Sequence, residues 1–172
     1  FDRNVNFLEE RKRASAESGE NSTLHEIYNQ FIVNTGITSE EGRYLEQTEY
    51  ELDYLFCIPR QEMINICAEL INQNKKVIFV SDMYYDKNQI CKLLDKTGIN
   101  VDIADIYVSS EMGCCKETGE LWTLIRNIFQ YEKIIHVGDS VNADIILPQK
   151  RGIDSFFVRN SLEIVKKSEL GH

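Results

Sequence analysis

Residues 134–144 read IIHVGDSVNAD, and this stretch decides the fold. An apolar run ends in Gly138-Asp139, and Asp144 follows five residues later. The pattern is that of a buried strand feeding a tight turn and then a helix. Glycine at the strand end permits a close approach of the backbone. Asp139 is expected to project from the strand end, and Asp144 from the first helical turn. Two carboxylates in one crevice suit a hard, oxygen-seeking cation such as magnesium. Equally, Asp139 could cap the helix and Asp144 could complement its dipole. Both readings stand at this point.

Outward from this stretch the period of the sequence is that of alternating strands and helices. Lys75-Lys76 precedes Val77-Ile78-Phe79-Val80, a run that reads as a strand buried on both faces. A helix is expected from Asp86, with Gln89 three residues on, to Gly98. Then follow strand 106–108, helix 121–129, strand 134–137, a helix from about Asn142, and strand 155–158. Pro148 is expected to kink or end that last helix. Strands alternating with helices imply a parallel sheet with right-handed crossovers. The fold class is therefore α/β, with a three-layer, Rossmann-like parallel sheet. Ligands of such sheets bind at the carboxyl ends of the strands. Ser81-Asp82, Ser109-Ser110-Glu111 and Gly138-Asp139-Ser140 all fall there.

Two of these loops carry further signals. Ser81, in VIFVSDMYYD, offers a hydroxyl beside backbone N–H groups entering a helix, which suits a phosphate oxygen. It could also be a plain turn former. Lys116, in SSEMGCCKETGEL, precedes a helix and could neutralise a phosphoryl group as a point charge. Most lysines, however, are solvated surface.

Before residue 75 the signals are helical. Phe7, Leu8 and Arg11 open a charged helix broken by Gly19 and Asn21. Thr23 with Glu26, and Thr38 with Glu41, make capping boxes. Leu24, Ile27, Tyr28, Phe31 and Ile32 recur at helical spacing, as do Tyr44, Leu45, Thr48, Leu52 and Leu55. Pro59 interrupts, and Met63, Ile66, Cys67, Leu70 and Ile71 form the stripe of a fourth helix.

Bulk composition narrows the classes. The 172 residues are 42% hydrophobic and 27% charged, as in ordinary globular chains. A net charge of -9, from 28 acidic and 19 basic side chains, repels a phosphate backbone and argues against nucleic acid. No apolar run approaches the roughly 20 residues of a membrane span, so no membrane insertion is expected. Five cysteines with no C-x-x-C and no opening leader predict reduced thiols and a cytoplasmic location. Cys114-Cys115 could bind a soft metal, but packing is the simpler role.

In this order, VIFVSDMYYD, YVSSEMGCCKETGEL and HVGDSVNAD resemble the second, third and fourth motifs of the haloacid dehalogenase superfamily. The resemblance covers roughly residues 60 to 158. It implies that Ser81, with Asp82, binds a phosphoryl group and that Lys116 steadies it. It also implies that Asp139 and Asp144 hold magnesium, with Asp139 the direct ligand. It further implies a helical cap over residues 1–58, a core over 59–160, and a polar tail over 161–172. NFLEERKRASAES and TLHEIYNQF, with VSDMYY, are similar to a bacterial subgroup found alone or fused to sugar-transfer enzymes of surface polysaccharide synthesis. The implied function is magnesium-dependent hydrolysis of a small phosphorylated metabolite such as a sugar phosphate. The implied partner is a fused or associated glycosyltransferase.

The first motif of that family, D-x-D-x-[TV] after a buried strand, is not found. Asp102 and Asp105 have the wrong spacing and precede a strand, and Phe1-Asp2 has no strand before it. Without a nucleophilic carboxylate no aspartyl-phosphate can form, so this chain alone is expected to be inactive. In the family the missing strand lies centrally, so the natural protein is expected to be longer, or another segment to complete the sheet. The alternative is a non-catalytic docking module of a larger polysaccharide-assembly protein. Among other residues, His136 reads as a satisfied strand histidine or a residue behind the site. Tyr84 and Tyr85 could touch a substrate or pack against the helices. Trp122 reads as the anchor of its helix.

Overall fold

The computed structural model describes residues 6–99 and 102–160. The tail expected at 161–172 lies outside them, as does Phe1-Asp2. Two compact units divide the chain, one ending at Gly113 and the other starting at Cys114. The helical front part and the first strands share the first unit.

Caps set the first helices. Helix α1 (Phe7–Ser18) starts at Asn6, whose side chain accepts from the Glu9 N–H, and stops at Gly19. Helices α2 (Leu24–Thr35) and α3 (Ser39–Phe56) begin at the two capping boxes, with both reciprocal bonds formed in each. Leu24, Ile27, Tyr28 and Phe31 bury the stripe of α2, and the Phe7 ring meets Phe31 edge-on at 5.4 Å.

The buried face of α3 differs from the apolar stripe read in the sequence. Tyr44, Leu52 and Leu55 are exposed, whereas Gly42 and Tyr50 are buried. The cause is Gly42, which lies so close to the Ile32 side chain that a Cβ there would overlap Ile32 Cγ1 and Cδ1. Glu49, half-buried, and Asp53, exposed, find polar partners from this helix. At the far end of α3 the Lys96 ammonium binds the carbonyls of Tyr54, Leu55 and Cys57. It satisfies acceptors that a helix C-terminus leaves open. Helix α4 (Gln61–Asn72) forms on the expected stripe, yet none of its residues is buried and Ile66 is 51% exposed.

Strand β1 (Phe79–Ser81) is half-buried and runs two residues later than the apolar run began. It pairs in parallel with β2 (Ile106–Val108), Ser81 opposite Val108. The crossover is α5 (Lys87–Lys96), opened by a capping box between Asp86 and Gln89. A short 3₁₀ turn (Ile103–Asp105) precedes β2, and the single turn α6 (Ser109–Met112) follows it.

The second unit holds α7 (Glu120–Ile128), β3 (Ile135–Gly138) and β4 (Asp154–Phe157), the two strands again parallel. Leu121, Trp122, Ile125, Pro148 and Ile153 form its buried centre. Between the strands the chain winds as a π-helix over Val141–Ile146 and as one α turn, α8, over Leu147–Gln149. The helical winding ends at Gln149, one residue after Pro148, in keeping with a proline that ends the helix. The Leu147 N–H reaches back five residues to Asn142. The fold is thus mixed α/β with small parallel sheets. Among the described residues the four strands pair as β1–β2 and β3–β4. No helix of the described residues is long and apolar enough to cross a membrane.

Candidate functional site

In the second unit the end of β3 and the loop before α7 converge on one carboxylate. Asp144 is 3% exposed. Its Oδ1 accepts from Lys116 Nζ at 2.8 Å and from His136 Nε2 at 2.9 Å. Its Oδ2 accepts the backbone N–H groups of Asp139 and Ser140 at 3.2 and 3.0 Å. A carboxylate offers about four acceptor positions, and four donors occupy them here. Because an ionised carboxylate only accepts, His136 carries a proton on Nε2.

Each local element contributes to this arrangement. Alternation along β3 puts His136 and Gly138 on the same side of the strand. The Asp144 side chain lies across Gly138, where a Cβ would stand 2.5 Å from Oδ2. Gly138 is therefore needed for its lack of a side chain, since the carboxyl group fills that space. Ser140 caps the π-helix, its hydroxyl accepting from the Ala143 N–H at 3.2 Å. The Trp122 indole, 1% exposed, donates to the Ala143 carbonyl at 2.6 Å and stands 4.4 Å from the His136 ring. Arg151 braces the lysine loop. It bonds Thr123 Oγ1 at 2.7 Å and the Leu147 carbonyl at 2.9 Å, and its guanidinium covers Gly119, whose φ is +79°.

Burial alone would raise the Asp144 pKa. Hydrogen bonds from His136, Lys116 and Ser140, with the lysine charge, outweigh it and hold the carboxyl well below the usual range. The group is an anion under all ordinary conditions. It fixes the lysine ammonium beside the β3 turn.

The expected magnesium site can be tested against these donors. A cation would have to displace one of four bonds to reach Asp144. Asp139 is exposed at the strand end. Among the described residues no three His, Cys, Asp or Glu side chains are grouped to hold a metal ion. The donor set does not make a cation cage.

The first unit carries the other two expected residues. Ser81 ends β1, half-buried, and Asp82 is exposed in the loop after it. That loop is tied at both tyrosines. The Tyr84 carbonyl accepts from the Leu24 N–H at 2.7 Å and the Tyr85 carbonyl from Ser110 Oγ at 2.9 Å. Glu111, exposed, accepts the Lys87 N–H at 2.7 Å, at the start of α5. The structure thus brings Lys116, Asp144 and the Asp139 backbone together in one unit, and sets Ser81 and Asp82 in the other.

The place of His136 behind the site is one of its two sequence readings, whereas Trp122 and Arg151 carry no sequence signal for the site. For His136 the signal lay in its spacing of two from Gly138, which gives both residues one face. No family model matches the chain, and no curated protein matches it.

Proposed function

We propose that the chain is the phosphate-binding part of a haloacid-dehalogenase-like phosphohydrolase acting on a small phosphorylated metabolite, such as a sugar phosphate. The observation that carries this reading is the Lys116–Asp144 pair at the turn after β3. A lysine drawn from one loop is held by a buried anion beside the carboxyl end of a parallel strand. There it presents a positive charge where such folds bind ligands. Ser81 supports the reading, since it ends a second parallel strand with a hydroxyl.

In this reading Lys116 binds an equatorial phosphate oxygen, and Asp144 keeps the ammonium oriented. The three-layer, Rossmann-like architecture belongs to the same proposal. It is supported by both pairings being parallel and by pairs of three- and four-residue strands being too small to stand as sheets alone. In this reading the attacking carboxylate is not among the described residues. A glycosyltransferase, fused or associated, is the partner proposed for the complete protein.

The test is direct. Inorganic phosphate titrated into the chain is expected to shift the backbone amide resonances of Asp139–Ser140, and Lys116→Ala is expected to abolish the response. p-Nitrophenyl phosphate with magnesium is expected to show no turnover by this chain alone. Amides indifferent to phosphate would overturn the binding reading and leave a docking module.

A further inference from the structure

We infer that helices α1–α3 and the loop Ser81–Asp86 open and close as one body, so that the helical layer is a fixed brace for this loop and not a swinging lid. The brace stands on contacts within the first unit. Its service to phosphate binding rests on the reading of Ser81 given above.

Three helices grip two consecutive tyrosines. Arg11 on α1 makes a two-pronged ion pair with Glu49 on α3, at 2.8 and 2.7 Å. Tyr28 on α2 donates its hydroxyl to the same Glu49 at 2.7 Å. The Arg11 guanidinium then lies over the rings of Tyr28 and Tyr84, at 5.5 and 5.2 Å. Tyr85, fully buried, donates its hydroxyl to Asp53 on α3 at 2.5 Å. Its ring meets Tyr50 of α3 edge-on at 5.3 Å and Tyr84 at 4.9 Å.

The backbone is held as firmly. The Leu24 N–H, one of the donors a helix start leaves open, is satisfied by the Tyr84 carbonyl. If the loop withdrew, that N–H would lose the Tyr84 carbonyl, Asp53 the Tyr85 hydroxyl, and Arg11 the Tyr84 ring. A hinge would need a seam with few polar ties. Here the polar ties are concentrated where a hinge would have to run. Tyr84 and Tyr85 are positioning residues that act on Ser81 through the loop backbone.

Hydrogen exchange on the full chain tests the brace. In the unaltered protein the amides of 81–86 and those of α3 around Glu49 are expected to share one opening rate. Glu49→Ala is expected to speed both together by tenfold or more. Glu49→Gln, which still accepts from Arg11 and Tyr28, is expected to recover most of the protection. Tyr85→Phe deletes one hydroxyl and should fold even if Glu49→Ala does not; a smaller, still joint, acceleration is expected. Helices that open while the loop stays protected, in either variant, would overturn the brace. Inorganic phosphate added to the same samples separates the two ideas. Joint exchange without a phosphate response keeps the brace and removes the phosphate reading, and the converse result does the reverse.

Discussion

The Lys116 ammonium and the Asp144 carboxylate stand 2.8 Å apart, with only 15% and 4% of their side chains exposed. Removing one partner of such a pair leaves the other charge without compensation. Asp144→Asn is expected to cost about 3–5 kcal/mol in urea denaturation at pH 7. The acid dependence should change as well. The folded pKa of Asp144 is depressed, so its stabilising contribution is complete above the ordinary carboxylate value of about 4. That contribution declines as the pH falls below this value towards the folded one. The unaltered chain should therefore lose stability steeply between about pH 4 and pH 2. The variant should show a shallower fall, and equal slopes would refute the assignment.

Gly138→Ala places a methyl group where the Asp144 carboxyl lies. The strand cannot retreat without breaking its pairing with β4, so the carboxylate must move. A loss of about 1–3 kcal/mol is expected, as for other overpacked sites. In a double-mutant cycle with Asp144→Ala the two losses should not add, because the second change removes the obstacle for the first. Additive losses would place the cost of Gly138→Ala in the backbone instead.

Gly42 poses the same question between α2 and α3. Alanine raises helix propensity by about 1 kcal/mol over glycine. Here the gain is expected to be outweighed, because the new Cβ overlaps Ile32. Gly42→Ala should lower the thermal midpoint, whereas Gly42→Ala in an Ile32→Ala background should raise it. A rise in both backgrounds would mean that the two helices separate freely.

Trp122, the single tryptophan, lies in the second unit, while most of the helix lies in the first. Tryptophan emission and far-ultraviolet circular dichroism therefore report different units. Their urea transitions are expected to part, with separate midpoints. Superimposable curves would show that the two units unfold as one cooperative block.

Local chemistry made much of this structure legible. The capping boxes at Thr23, Thr38 and Asp86 all form, because each needs only residues three apart. Strand β2 lies where its apolar run lies, and β3 and β4 are displaced by a single residue. What escaped was set by long-range contacts. The buried face of α3 follows from Gly42 against Ile32 and from carboxylates that meet Arg11 and two tyrosine hydroxyls, which no apolar stripe records. The π-helix over Val141–Ile146, with Asp144 packed over Gly138, is a feature that hydrophobic periodicity does not record. Ser81, Lys116, Asp139 and Asp144 were readable as residues of interest. The role of Asp144 as anchor for the lysine was not, because the fourfold occupation of its oxygens is a property of folded loops.

Ile135 and Val137 on β3, Phe156 and Phe157 on β4, and Ile66, Leu70 and Ile71 on α4 are all exposed to solvent. Short parallel strands with greasy flanks invite lateral pairing with other copies. In the test tube this chain should bind hydrophobic dyes, turn cloudy as it is concentrated, and keep best when dilute or tethered to a solubilising carrier.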